Sequence, residues 1–363
     1  MSAEQAVAAI LTGDSAPLGA VVGVARPSVT RTAAAGVANS SGEPMTARTV
    51  FDVASVTKVA ATTTALLRLV SLDQLRFDDP LARFLPGTGC APGTTVRHLL
   101  QHRAGLWEWQ PLYLDPRDPA DQIDALELRY PFDDGRHYSD LGFMLLGRII
   151  AAVAGMRLDA AIRELVTAPL SLEHTGYGPI GPAAAASSKG DATERRMVAT
   201  GVPYPVLTDQ RDFPWREDEI VGVVNDGNCF HAFGGISGHA GLFSTAGDLL
   251  ALGAALASPE RHTDLWHPDA VDDMFRDGLD AGQALGWRSD RVVIDGRERR
   301  MLWHPGFTGC ALGIIPESET AVALLSNRLF AAAPATTETL WRAALPALLG
   351  DETPRTIEGT RTS

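Results

Sequence analysis

Lysine is scarce in this 363-residue chain: there are two, Lys58 and Lys189, among 31 Lys and Arg residues. Cysteine is scarcer than a disulfide scaffold needs. Cys90, Cys229 and Cys310 stand far apart with no Cys-x-x-Cys spacing, so they read as reduced core residues rather than a disulfide framework or a zinc site. The histidines show no pair at metal-ligand spacing beside acids, and no metal is expected. No basic residue precedes Arg26, and the apolar stretch 6–11 stops at Gly13-Asp14, so no secretory signal is legible. No run approaches the roughly 20 apolar residues that span a bilayer. The expectation is a soluble, cytoplasmic protein with no membrane partner. Positive charge is also short overall, with 31 Lys+Arg against 44 Asp+Glu and a net charge of −13. Phosphate binding needs a dense positive surface, so no nucleic-acid partner is expected.

What is present is an ordinary globular composition, 45% hydrophobic and 21% charged, long enough for two domains or one large domain with an insertion. Valine-rich residues 19–25 and residues 30–37 read as two strands joined by a turn. Residues 56–75 carry a helical stripe of Val59, Leu66, Leu69 and Val70. Residues 106–137 hold aromatic rings and prolines with no clear period, a long loop of the kind that walls a pocket. Leu141, Leu145, Ile149 and Val153 recur every four residues, predicting an amphipathic helix over 139–154 that stops at Gly155. Residues 179–188, with Pro182 and four alanines, read as a flexible loop. Asp295-Gly296 between extended runs is a hairpin signal, further strands follow near 312–315 and 321–325, and 336–349 closes as a helix. Strands at both ends and helices between them predict a mixed α/β domain from 1–75 and 240–350. A mainly helical domain would occupy 76–239, followed by a tail over 351–363.

Chemistry concentrates in three places. Ser55-Val56-Thr57-Lys58 opens the first apolar helix. Lysine, unlike arginine, can lose its proton when desolvated, and residues three apart share a helix face, so Lys58 can approach the Ser55 hydroxyl. A neutral, partly buried amine there can take the serine proton, and the helix N-terminus offers N–H groups suited to an oxyanion. Eighteen serines and two lysines would produce roughly 0.1 Ser-x-x-Lys matches by chance. The plain alternative is a surface lysine one turn into a helix capped by Ser55. Tyr138-Ser139-Asp140 begins the 139–154 helix. A tyrosine there can relay a proton if a cation stabilises its phenolate; otherwise it is a wall residue, and Asp140 an ordinary first-turn acid. Trp303-His304-Pro305-Gly306-Phe307-Thr308-Gly309 follows the late hairpin, where glycine permits close approach of a substrate. His304 alone reads as a core histidine.

In order and spacing these three motifs resemble those of the serine β-lactamase and penicillin-binding-protein superfamily. The likeness is to its class C-like branch, which also holds esterases and D-stereospecific peptidases. Residues 51–55, 96–106 and 238–245 resemble supporting segments, and the likeness runs over about residues 15–350. It implies an α+β fold, an antiparallel sheet flanked by helices beside a mainly helical domain, with the active site between them. By the same resemblance Ser55 is the acylated nucleophile, Lys58 its activating partner and Tyr138 the general base or proton shuttle. The backbone N–H groups of Ser55 and Phe307 would form the oxyanion hole, and His304 and Gly306 the substrate edge. No metal or organic cofactor is implied.

Three departures matter. Asp140 stands where β-lactamases usually carry Asn; a carboxylate there would pair with Lys58 and repel acidic groups of a substrate. His304 and Pro305 replace the usual Lys and Thr or Ser that bind a substrate carboxylate. These changes weaken the expectation of penicillins or terminal D-Ala-D-Ala and leave serine acyl chemistry intact. The function expected is hydrolysis of a small-molecule ester or amide through an acyl-enzyme, with Trp107 and Trp109 in an acyl pocket. The alternatives are an acyltransferase passing the acyl group to an amine or alcohol in small-molecule biosynthesis, and a β-lactamase or penicillin-binding sensor. The oligomeric state is not legible.

Overall fold

The run Gly19-Ala-Val-Val-Gly-Val-Ala-Arg26 forms an extended strand buried almost throughout, because both faces of the sheet it joins are covered by helices. The computed structural model describes residues 2–180, 183–208, 212–294 and 296–350. Pro182, the hairpin residue Asp295 and the 351–363 tail lie outside them. The strands, in chain order, are β1 (Gly19–Arg26), β2 (Val29–Gly36), β3 (Phe51–Asp52), β4 (Gly176–Tyr177), β5 (Ala186–Lys189), β6 (Glu219–Val221), β7 (Leu242–Ser244), β8 (Arg288–Ile294), β9 (Arg297–Pro305), β10 (Ala311–Ile315) and β11 (Thr320–Ser326).

Six of them make the main sheet, in the order β2-β1-β11-β10-β9-β8, and every pairing is antiparallel. The N-terminal hairpin is joined to the C-terminal strands where Ala20 faces Ser326 and Val24 faces Val322. Strand period two sends alternate residues to opposite faces. Val22, Val322 and Leu324 pack with helices Ala3–Ile10 and Thr337–Leu349, whose Trp341 stacks on Trp303. Val21, Ala323 and Leu325 join the larger core with helix Ala246–Ala257. Burying a side chain of this size contributes about 2 kcal/mol relative to leaving it in water, so each sheet face is fastened by several such contacts.

The middle of the chain supplies helices and also strands. Helix Asp140–Ala154 starts at Ser139, whose hydroxyl accepts the Gly142 N–H, and ends at Gly155 in the left-handed region. The long loop over 106–137 contains a helix, Pro119–Ala125, capped by Asp118 and opened by proline; Asp-Pro was the signal for it. The loop expected over 179–188 runs into β5, which pairs with β6, and β4 pairs with β7 beside β3. Thr245 caps helix Ala246–Ala257 through the Asp248 N–H, but the Asp248 carboxylate turns to His174 and Thr175 instead of completing a capping box. Among the described residues no single helix is long and apolar enough to cross a membrane.

Candidate active site

Strand β3 ends at Asp52, and the chain then turns sharply. Ala54 sits at φ +46°, a conformation L-residues avoid at a cost of about 1–2 kcal/mol. Asp52 holds that turn: its two carboxylate oxygens accept the N–H groups of Ala54 at 2.8 Å and Asn225 at 2.6 Å. Burial pushes the Asp52 carboxyl up to about 6, against the pull of those two donors. The turn delivers Ser55 to the head of the helix. Thr57 faces the other way and accepts the Leu242 N–H, fastening the helix start to β7. The first turns after it, Lys58–Thr63, are wound wide, a local geometry that recurs near functional sites.

Lys58 is wholly buried. Its Nζ lies 3.0 Å from Ser55 Oγ, 3.0 Å from the His239 carbonyl and 2.7 Å from Asp140 Oδ1. An ammonium has three donors, and here each faces an acceptor. Burial alone would lower the lysine pKa, but the Asp140 carboxylate beside it outweighs that and holds the group above its ordinary value. Where the sequence reading expected a neutral amine, the Asp140 carboxylate at 2.7 Å favours an ammonium that donates to Ser55 Oγ. Tyr138 lines the same cleft as Ser55.

Tyr138 arrives from the loop before helix Asp140–Ala154. Its ring centroid is 5.2 Å from Lys58 Nζ, 4.6 Å from the His102 ring and 6.2 Å from the His304 ring. His102 accepts the Ser139 N–H at Nδ1, and its buried ring is kept neutral by desolvation and then by the cations Arg136 and Lys58. Ser139 Oγ donates to the Trp107 carbonyl and the Asp140 N–H to the Glu108 carbonyl, so the tripeptide is held on both sides. His102 escaped the sequence reading because its role is contact with a residue far along the chain.

Strand β9 brings the third motif. His304 is buried with Nδ1 2.8 Å from the Pro305 carbonyl oxygen, and burial followed by Lys58 and Arg288 pushes its pKa well down, leaving it uncharged. Gly306 is needed for space: a Cβ there would sit 2.3 Å from the Val53 carbonyl oxygen. Thr337 Oγ1 donates to the Gly306 carbonyl at 2.8 Å. In a trans peptide the next N–H points the opposite way, so this bond fixes the direction of the Phe307 N–H. Arg328 Nε holds the Phe307 carbonyl at 2.8 Å.

Ser55, Tyr138, Asp140, His304, Gly306 and Phe307 line one cleft of about 600 Å³, with Trp109 on its wall. Trp107, expected beside Trp109, is not among the lining residues; its indole N–H donates to the Glu127 carbonyl and Arg129 covers its ring. The cleft also contains residues the sequence did not single out, among them Arg136, Glu194, Asp226 and Arg288. Glu194 accepts from Tyr113 and the Gly227 N–H; burial and the Asp226 charge raise its pKa. Asp226 pairs with the His239 ring at 2.9 Å. Cys310 is buried and free, its thiol pushed up to about 12 by burial. Among the described residues no three His, Cys, Asp or Glu side chains gather as a metal site.

The family model described as Beta-lactamase matches residues 4–345. A putative D-alanyl-D-alanine carboxypeptidase of Escherichia coli (strain K12) is 30% identical over 317 residues, covering 78% of this chain and 70% of the relative. An N-acetylmuramyl-L-alanine amidase of Bacillus subtilis (strain 168) is 30% identical over 328 residues, covering 78% and 69%. The crystal structure of SurE superposes with a TM-score of 0.67 at 26% identity, over 96% of this chain and 75% of that one.

Proposed function

The chain belongs to the β-lactamase and penicillin-binding-protein superfamily of serine hydrolases, and on that premise we propose that it cleaves an ester or amide through an acyl-enzyme on Ser55. The observation that carries the reading is the 3.0 Å contact between Ser55 Oγ and an ammonium whose other donors are engaged. A cation so placed stabilises negative charge on both Ser55 Oγ and the Tyr138 oxygen.

The Ser55 hydroxyl gives its proton to the Tyr138 phenolate as Oγ attacks the carbonyl carbon. The carbonyl oxygen becomes an oxyanion, held by the N–H groups of Ser55 and Phe307. Collapse expels the leaving amine or alcohol, which takes the proton from Tyr138. Water then attacks the acyl carbon with Tyr138 again accepting its proton; the bond from that carbon to Ser55 Oγ breaks, Oγ takes the proton from Tyr138, and the carboxylic acid leaves. Both named relatives are described by amide-bond cleavage, which supports an amide or peptide substrate over a simple ester.

Intact-mass measurement with a fluorophosphonate probe tests this. The wild type should gain one probe mass and Ser55→Ala none; an unlabelled wild type would sink the reading. Transfer of the acyl group to an amine or alcohol uses the same nucleophile, and product analysis with added acceptors separates it from hydrolysis.

A further inference from the structure

Helix Ala192–Thr200 stands between two cavities. Thr193, Glu194 and Met197 line the catalytic cleft. Ala192, Arg195 and Ala199 line an outer pocket of about 400 Å³, and Arg196 reaches both. Residues three and four apart share a helix face, so 192, 195, 196 and 199 form one side of the helix and 193, 194 and 197 the other. Lys189 from the end of β5, with Trp215, Arg216 and Glu217 from the segment before β6, completes the outer pocket.

The pocket has a fixed floor. Gly190 lies at φ +56°, where a Cβ would collide with the Arg216 carbonyl oxygen. The Gly190 N–H donates to the Asp218 carbonyl at 2.8 Å and the Asp191 N–H to the Arg216 carbonyl at 2.9 Å. The Arg216 guanidinium is turned inward, to Asp191 at 2.6 Å and to the carbonyls of Val224 and Asn225 at 2.7 Å each. The other three cations are uncommitted: among the described residues Lys189, Arg195 and Arg196 have no acid within ion-pair distance. Glu219, opposite Lys189 across the β5–β6 pair, accepts the Ser40 N–H instead. With Asp191 neutralised by Arg216, Glu217 alone answers these three. That leaves a surplus of two positive charges, in a chain whose net charge is −13. Cations held around one concavity repel each other, and a bound anion removes that repulsion through charge-assisted hydrogen bonds.

We propose that this outer pocket binds the phosphate monoester group of a small molecule, with Lys189, Arg195 and Arg196 on the phosphate and Trp215 against the organic part. A dianion matches the surplus of two, and a lone carboxylate matches half of it. Two sources present this chemistry: the far end of an extended substrate, reaching across Arg196 from the cleft, or a separate effector. An effector has a route to the nucleophile, because Arg216 holds the Asn225 carbonyl while the Asn225 N–H is bound by Asp52 beneath the Ser55 turn.

Calorimetry on Ser55→Ala, above neutral pH where a phosphate monoester is a dianion, tests the pocket without the chemistry. Phenyl phosphate should bind, and benzoate about tenfold more weakly. Lys189→Gln and Arg195→Gln, neither of which lines the cleft, should each weaken phenyl phosphate about tenfold, and Glu217→Gln should tighten it. No binding of phenyl phosphate, or equal binding of benzoate, overturns the pocket. So does binding that Lys189→Gln and Arg195→Gln leave intact, which would put the anion in the cleft. Kinetics on the enzyme with Ser55 in place then separates the sources. For an effector, phenyl phosphate changes kcat/KM on an uncharged ester, and Arg195→Gln removes the change. For a substrate group, an ester whose acyl chain ends in a phosphate monoester has a lower KM than its dephosphorylated twin, and Arg195→Gln removes that difference. Absence of fluorophosphonate labelling would count against the nucleophile and leave the calorimetric result standing.

Discussion

Lys58 Nζ and Asp140 Oδ1 meet at 2.7 Å, with the lysine fully buried and the aspartate side chain 15% exposed. The pair decides which protonation state faces the nucleophile. Its sign follows from linkage: a lysine pKa raised in the folded state contributes stability that is complete below the unfolded value of 10.5 and is lost as pH rises through the folded one. Across the neutral range the pair is intact. Removing one partner strands the other charge, so Lys58→Met should cost about 3 kcal/mol in urea unfolding, and Lys58→Met with Asp140→Leu appreciably less.

Asp140→Asn separates charge from packing. Without its carboxylate partner, buried Lys58 loses its proton more easily, so the alkaline fall in kcat should begin at lower pH than in the wild type. A steady-state pH profile reads this directly, and an unchanged alkaline limb would show that the ammonium is not required.

Tyr138→Phe should leave the fold in place and lower kcat by about a hundredfold or more, the usual size of a lost proton relay. Near-UV circular dichroism checks the fold and stopped-flow acylation the rate.

Asp52 predicts an acid limb. Its carboxyl titrates at about 6 in the folded protein, and the charged form is the better acceptor for the Ala54 and Asn225 N–H groups that set the turn under Ser55. Acylation should therefore fall as pH drops through about 6. The stability linkage runs the other way: with a raised pKa, this residue favours the fold most below 3.8 and loses that contribution as pH rises through about 6. Activity and melting temperature measured over that window should diverge on this account, and Asp52→Asn should flatten the acid limb.

Thr337→Val removes the hydroxyl that binds the Gly306 carbonyl. The Phe307 N–H then loses its fixed direction, and kcat should fall about tenfold or more with little change in KM, as for a weakened oxyanion donor. Burst kinetics on an activated ester would show it.

The sequence spoke for whatever local spacing controls. Ser55 and Lys58 had to meet because three residues make most of a helical turn, and the helix expected over 139–154 followed from an apolar residue at every fourth position. Alternation and turn chemistry at both ends of the chain indicated a mixed domain built from the two termini; the antiparallel sheet flanked by helices was implied by the family resemblance. Charge states were not legible. Lys58 is an ammonium because a helix from another part of the chain delivers Asp140, and His304 is uncharged because Lys58 and Arg288 stand near its buried ring. Thr337, Asp52 and Arg136 were missed for the same reason: a threonine at a helix start or an acid ending a strand has no local pattern that announces its partner.

The main sheet closes by pairing β1 with β11, and Thr308 reaches back to donate to the Asp52 carbonyl at 2.8 Å. A nascent polypeptide thus carries its serine, lysine and tyrosine long before the segment bearing Phe307 leaves the ribosome. On the mechanism proposed above, reactivity awaits the docking of that segment, and a protease nick between residues 305 and 326 should silence the enzyme while Ser55, Lys58 and Tyr138 stay intact.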